Sequence, residues 1–133
     1  MTTMPYTDVV QVIRDAITAA TNTPTARVLQ PGFTEGPLPL AHVALVQSQD
    51  LDYERTDTLL IDVYATTPTS PNDVGAAALA DKLRAALAVR PVVGSAGWID
   101  EVSVDSILGV RPYYEAVEVV NMTISATHRK ISD

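Results

Sequence analysis

The segment Tyr114–Thr127 constrains the fold more than any other part of this chain. Its residues alternate as a strand does, with Val117 and Val119 on one side and Val120, Met122 and Ile124 on the other. A strand that is apolar on both faces needs cover on both. One layer of helices covers a single face of a sheet, so the second cover is expected from a partner subunit.

Two helical patterns supply the first layer. Around a helix from Thr7 to Thr21, the residues Tyr6, Val9, Val10, Ile13, Ala16, Ile17 and Ala20 recur at three- and four-residue spacing. Thr7 is the expected N-cap with Asp8 just inside it. Asn22-Thr23-Pro24 ends the run, because proline cannot continue a helix and biases its predecessor away from helical angles. The second helix is expected to begin at Ser70-Pro71-Asn72-Asp73: a serine cap, proline at the first helical position, and an acid near the positive end of the dipole. It runs to about Val89, with Ala76, Leu79, Ala80, Leu83 and Leu87 inward and Asp81, Lys82 and Arg84 wet.

Arg27–Gln30 reads as a short strand. Residues 31–40 read as a proline-rich surface arm, with three prolines and two glycines between Pro31 and Pro39. The arm holds Phe33 and Leu38, two large apolar groups that dock either on their own domain or on a neighbour. Ala41–Ser48 and Thr58–Thr67 read as antiparallel strands. Residues 49–57 join them as a solvated acidic hairpin loop, with Asp50, Asp52, Glu54 and Asp57 set against Arg55. In the second strand, Leu59, Ile61, Val63 and Ala65 face one way. Thr58, Leu60, Asp62, Tyr64 and Thr66 face the other.

After a loop, Pro91–Gly97, a strand near Ile99–Leu108 alternates Val102, Val104 and Leu108 with Glu101, Ser103 and Asp105. Gly109-Val110-Arg111-Pro112 is expected to turn the chain into the last strand. The order helix, three strands, helix, two strands predicts an α+β fold: a mostly antiparallel sheet of about four to five strands packed against two helices. At 133 residues and 47% hydrophobic, residues 1–133 form a single domain with one core.

The net charge of −7 comes from sixteen acids against nine bases, and only Arg129-Lys130 are adjacent bases. Phosphate-reading proteins concentrate their bases, so this pattern argues against sequence-specific DNA binding. The absence of cysteine excludes a disulfide scaffold, a thiolate zinc site and a thiol nucleophile. No apolar stretch approaches the roughly 20 residues of a spanning helix. Met1–Asp8 shows no basic residue before an apolar run, so a reducing cytoplasm is expected and a membrane partner is not.

Chemistry-bearing motifs are missing too. There is no phosphate loop or dinucleotide turn, and Gly94-Ser95-Ala96-Gly97 lacks the spacing of a nucleophile elbow. His42 lies in an apolar strand and reads as a hydrogen-bonded structural histidine. His128 reads as solvated, close to a fraying end. The alternating Asp50, Asp52 and Glu54 fail as an EF-hand loop, because its sixth position is Arg55 and its twelfth Ile61. Asp100-Glu101 has no partner to raise a carboxyl pKa, and the sequon Asn121-Met122-Thr123 lacks a secretion signal. No catalytic, cofactor-binding or metal-ligating residue is expected. The informative aromatics are Trp98, Tyr113 and Tyr114. With Arg111, Phe33 and Leu38 they are candidates for subunit contacts, since such residues anchor interfaces.

The amphipathic helix TDVVQVIRDAITAAT opens a pattern that continues in the proline-rich connection RVLQPGFTEGPLPLAHVALV and the strand–turn–helix DTLLIDVYATTPTSPNDVGAAALADKLRAAL. It ends in the strand DEVSVDSILGV, a turn and the long strand YYEAVEVVNMTISATHR. Over most of the chain this pattern resembles the tail terminator (tail completion) proteins of long, non-contractile-tailed bacteriophages. The resemblance implies a homo-oligomeric ring, usually a hexamer, that ends tail-tube polymerisation and meets a head-closure or connector protein. It implies no cofactor, and DNA that passes through the lumen without sequence-specific binding. The place implied is the virion neck, after assembly in the host cytoplasm. In that setting the hairpin tip, Asp50, Leu51, Asp52, Tyr53, Glu54 and Arg55, is a candidate for docking on the tube protein. Another neck component is the nearest alternative. A small α+β enzyme or a monomeric binding domain is the alternative of a different class.

Overall fold

The computed structural model describes residues 7–70 and 75–129. Tyr6 and most of the expected helix start, Pro71-Asn72-Asp73, lie outside the described residues. The elements follow in the order α1 (Val9–Thr21), β1 (Thr25–Ala26), a 3-10 turn (Phe33–Glu35), β2 (Leu40–Asp50), β3 (Glu54–Thr66), α2 (Ala76–Leu87), β4 (Val92–Gly94), β5 (Gly97–Ile99), β6 (Glu101–Tyr114) and β7 (Val117–Arg129). The main sheet has the order β1-β2-β3-β7-β6. Only β1 runs parallel to its neighbour, and β4 and β5 form a separate antiparallel ribbon. The fold is α+β, with the expected order enlarged by that ribbon.

Alternation places the core. Leu59, Ile61 and Val63 of β3 stand opposite Ile124, Met122 and Val120 of β7, and all six are buried beneath the helices. Ala41 and Val43 extend the apolar strip to β2, and Val102 extends it to β6. From above, α1 lowers Val9, Val12, Ile13 and Ile17, and α2 lowers Leu79, Ala80, Leu83 and Leu87. Each fully buried side chain of this size contributes about 1.5–3 kcal/mol.

The helix ends follow local chemistry. Asp8, one residue later than expected, is the N-cap of α1 and accepts from the Gln11 N–H. Asn22 closes the helix in the left-handed conformation. Val12 lies outside the expected stripe and is fully buried, whereas Ala20 is exposed. The cause is the β4–β5 ribbon, which packs on the flank of α1 and widens its buried face. The Ser95 N–H and hydroxyl both donate to Asp15 there. Hydrogen bonds from Gln11 and Ser95 hold the Asp15 carboxyl below its usual range. Gly97 makes the ribbon possible with φ at +133°, a conformation that disfavours a side chain. At the start of α2, Glu118 reaches over from β7 and accepts from the Ala76 N–H at 2.8 Å, which fills one orphan donor of the first turn.

Several expectations are corrected. The short strand is Thr25–Ala26, not Arg27–Gln30. The Arg27 carbonyl is taken by His42 Nε2 at 2.9 Å, and the arm then leaves the sheet. Gly109-Val110-Arg111-Pro112 is not a turn. β6 runs through it to Tyr114, with register breaks between Val104 and Ser106, between Leu108 and Arg111, and between Pro112 and Tyr114. A bulge absorbs surplus residues, and proline is tolerated because β6 is an edge strand. The reversal comes at Glu115-Ala116, with Ala116 at φ 55°.

The acidic loop of residues 49–57 is mostly strand. β2 extends to Asp50 and β3 begins at Glu54, and Asp57 is buried rather than solvated. The second cover of the last strand also comes from within the chain. Leu29, just before the arm, and Phe33 and Leu38 within it pack on Tyr64, Val117 and Val119.

Candidate assembly surfaces

The arm seats on the sheet through an aromatic triad. Phe33 meets Tyr64 edge-on with ring centroids 4.8 Å apart, and Tyr64 meets Tyr113 edge-on at 4.9 Å. Phe33 and Tyr113 are 5.8 Å apart, so the three rings close a triangle. Edge-to-face pairs of this kind add about 0.5–1.5 kcal/mol beyond their area. Tyr64 is only 5% exposed, and burial, helped by the Asp62 carboxylate, pushes its phenol up to about 12. Phe33 and Leu38 therefore dock on their own domain.

Tyr113 is half-exposed beside them and begins a different surface. From Asp105 to Tyr114 every residue of β6 is exposed, including Ile107, Leu108, Val110 and Tyr114. Helix α2 shields only the start of the strand. Arg111 and Tyr114 lie on this open flank. Trp98 does not join them: it sits on β5, across from the exposed Val93. Its strand feeds the opposite end of β6, roughly 40 Å from Tyr114 at about 3.3 Å per residue.

The hairpin tip projects beyond the sheet. The Leu51 N–H donates to the Glu54 carbonyl at 2.8 Å, and Arg55 Nε donates to Asp50 at 2.6 Å, which squares off the turn. Leu51 is exposed, and Tyr53 is 85% exposed. Farther in, Leu45 and Val46 are exposed at a bulge of β2.

Below the tip lies a polar group that sequence reasoning missed. His128 is fully buried, and its Nε2 is 2.7 Å from Asp57 Oδ2. The Ser48 hydroxyl donates to the other Asp57 oxygen. His128 was expected to be solvated. It is buried because β7 continues in register with β3 to Arg129, opposite Glu54. A signal was present: Asp57 stands at the inward parity of Leu59, Ile61 and Val63, so it faces the core rather than water. Serine, aspartate and histidine meet here, but the serine bonds the aspartate and not the imidazole. Among the described residues the Ser48 hydroxyl is given to Asp57, so Ser48 and His128 do not form the nucleophile–base contact of hydrolytic triads, and the group staples three strands together.

A second polar cluster lies on the face away from the helices. His42 Nδ1 is 3.7 Å from Asp62, whose other oxygen accepts from Asn121 Nδ2. With the Arg27 carbonyl on its Nε2, His42 is the hydrogen-bonded structural histidine that its strand context implies.

Two open clefts flank the core. One, of about 500 Å³, runs between α2 and β6 and is lined by Arg84, Ala85, Leu87, Ala88, Val102, Val104, Ser106 and Ile107. The other, of about 510 Å³, lies where the start of α1 meets β2 and β3 near Arg27, Leu45 and Arg55. Among the described residues, no group of three or more histidine, aspartate and glutamate side chains could hold a metal ion, and no helix is long and apolar enough to cross a membrane. No protein-family model matches the chain, and no curated protein matches it.

Proposed function

We propose that this chain is a structural subunit that works by assembling with copies of itself. The observation that carries this reading is the flank of β6. Ile107, Leu108, Val110, Tyr113 and Tyr114 form a run of apolar and aromatic exposure that α2 leaves open. Such a patch on a small domain is the signature of an interaction surface. Aromatic anchors rather than charges dominate contacts of that kind.

Within that class, the sequence resemblance selects the tail terminator of a long, non-contractile phage tail. In this reading copies close into a ring, usually of six. The ring ends tube growth because it presents the tube with a face that a further tube subunit cannot use. Its other face meets the head-closure or connector protein. A chain with sixteen acids and nine bases gives a ring of net negative charge, which favours passage of DNA over adhesion to it. The protein then belongs to the neck of the virion.

The test adds purified protein to polymerising tube subunits and measures tube lengths by electron microscopy. The reading expects tubes that stop growing and carry an annular cap at one end. Tube lengths unchanged by saturating protein would remove it. Phage lacking the gene should yield overlong tails. Normal-length free tails beside leaking heads would move the assignment to head closure.

A further inference from the structure

We propose that the β2–β3 hairpin tip of one copy seats in the groove between α2 and β6 of the next copy. This rests on the self-assembly reading above and names the contact that would carry it. The groove is floored by Leu87, Val102, Val104 and Ile107, and the small Ala85 and Ala88 leave it open beside the helix. Arg84 lines the groove and pairs with Asp81 at 3.6 Å, Arg90 just past α2 pairs with Glu101 at 2.8 Å, and the exposed Lys82 of α2 adds a third base against those two acids. The Arg84–Asp81 pair is exposed on both sides and therefore weak, so a closer anion can compete for the guanidinium.

The tip has the inverse character. Leu51 and the almost fully exposed Tyr53 stand among Asp50, Asp52 and Glu54, with Arg55 occupied by Asp50. An apolar plug with an acidic collar thus faces an apolar slot with a basic border. The plug supplies the buried anchor, and the collar supplies steering and register.

Placement on the sheet favours a second copy as the occupant. The tip belongs to β2 and β3, and β6 is the last strand on the opposite flank. Plug and slot are therefore different surfaces, set two strands apart and toward the same end of the sheet, where Glu54 stands opposite Arg129 and Glu101 opposite Thr127. A contact between them repeats head to tail, and it closes into a ring when the rotation per step permits. The bulges of β6 break the regular backbone ladder a strand would need in order to add there, so side chains carry the contact.

The absence of cysteine gives a clean test. Tyr53→Cys and Ala85→Cys both fall at exposed positions, and circular dichroism checks that each variant is folded. The two proteins are oxidised separately and as a mixture at high concentration. The expected result is a covalent dimer in the mixture alone, and a ladder of oligomers from the variant carrying both cysteines. Asp52→Lys in the tyrosine-replaced protein should slow the cross-link roughly tenfold, equivalent to about 1.4 kcal/mol. Cross-linking of either single variant to itself at the same rate overturns the proposal, because the contact would then pair like surfaces. If the unmodified chain forms rings under the microscope and the mixture gives no cross-link, the contact is wrong and self-assembly stands. If light scattering finds only monomers, with and without tube protein, and no cross-link forms, both fall.

Discussion

The two faces of the central sheet bury their apolar residues by different means. On one face, two helices close over β3 and β7 and leave Leu59, Ile61, Met122 and Ile124 without solvent contact. On the other, a proline-braced arm covers only the end near Tyr64, Val117 and Val119, and the rest is a mixed face in which Asp62, Asn121, Thr123 and Ser125 surround the partly exposed Leu60. The first cover is regular structure held by many contacts. The second is a mostly irregular segment held by one aromatic triangle, Leu29 and Leu38. The contrast shows that apolar residues on both sides of a strand do not by themselves demand a partner. A short loop with three large side chains suffices when only a corner needs shielding. The uncovered apolar side chains lie elsewhere, on the flank of β6 and at the hairpin tip.

This contrast can be broken experimentally. Ile61→Ala removes atoms from the helix-covered side and should cost about 3–4 kcal/mol in denaturant unfolding, in line with other buried large-to-small changes. Asp57→Ala leaves His128 buried opposite an apolar methyl and should cost about 3 kcal/mol, with the hairpin tip losing amide-exchange protection first. Phe33→Ala should cost less, about 2 kcal/mol, and chiefly release the arm. Limited proteolysis should then cut within residues 30–38 while the unfolding midpoint of the remainder moves little. A midpoint shift as large as that of Ile61→Ala would show the two covers to be one cooperative unit.

A pH titration sharpens the same comparison. Burial raises the Tyr64 phenol to about 12 in the folded chain, from an ordinary value near 10. The folded state therefore holds that proton more tightly than the unfolded one. The associated stability is complete below about pH 10 and is lost as pH rises toward 12. Tyr64→Phe should flatten the alkaline limb of the stability profile and leave the acid limb unchanged. The smallest effect is expected at the β6–β7 reversal. Ala116→Gly relieves a left-handed alanine by more than the added freedom of the unfolded chain costs, and should raise stability by roughly 0.5–1 kcal/mol in denaturant unfolding.

Much of this architecture was legible in the sequence because period is a local property. The inward set of β3, the two faces of β7 and the stripe of α2 follow from counting residues by two or by three and four. What the count missed was decided by distant neighbours. Val12 of α1 is buried by a ribbon eighty residues away, through the Asp15–Ser95 contact. Gly109 to Pro112 read as a turn because glycine and proline usually break strands. The outermost strand escapes that rule by bulging. His128 read as solvated because it stands near the end of the sequence, but the register with β3 carries the strand past it. Among the surface candidates, Phe33 and Leu38 turned inward, Trp98 was separated from Tyr113 and Tyr114, and Leu51 and Tyr53 remained exposed.

The pairing of β3 with β7 runs through thirteen consecutive partners without a register break, whereas β2 and β6 on either side each carry bulges. The domain is in effect a stiff spine with compliant shoulders. Strain imposed on a shoulder by a neighbouring molecule can be absorbed by local shear at the bulges. The spine, with the core packed against it, keeps its shape while its surroundings adjust.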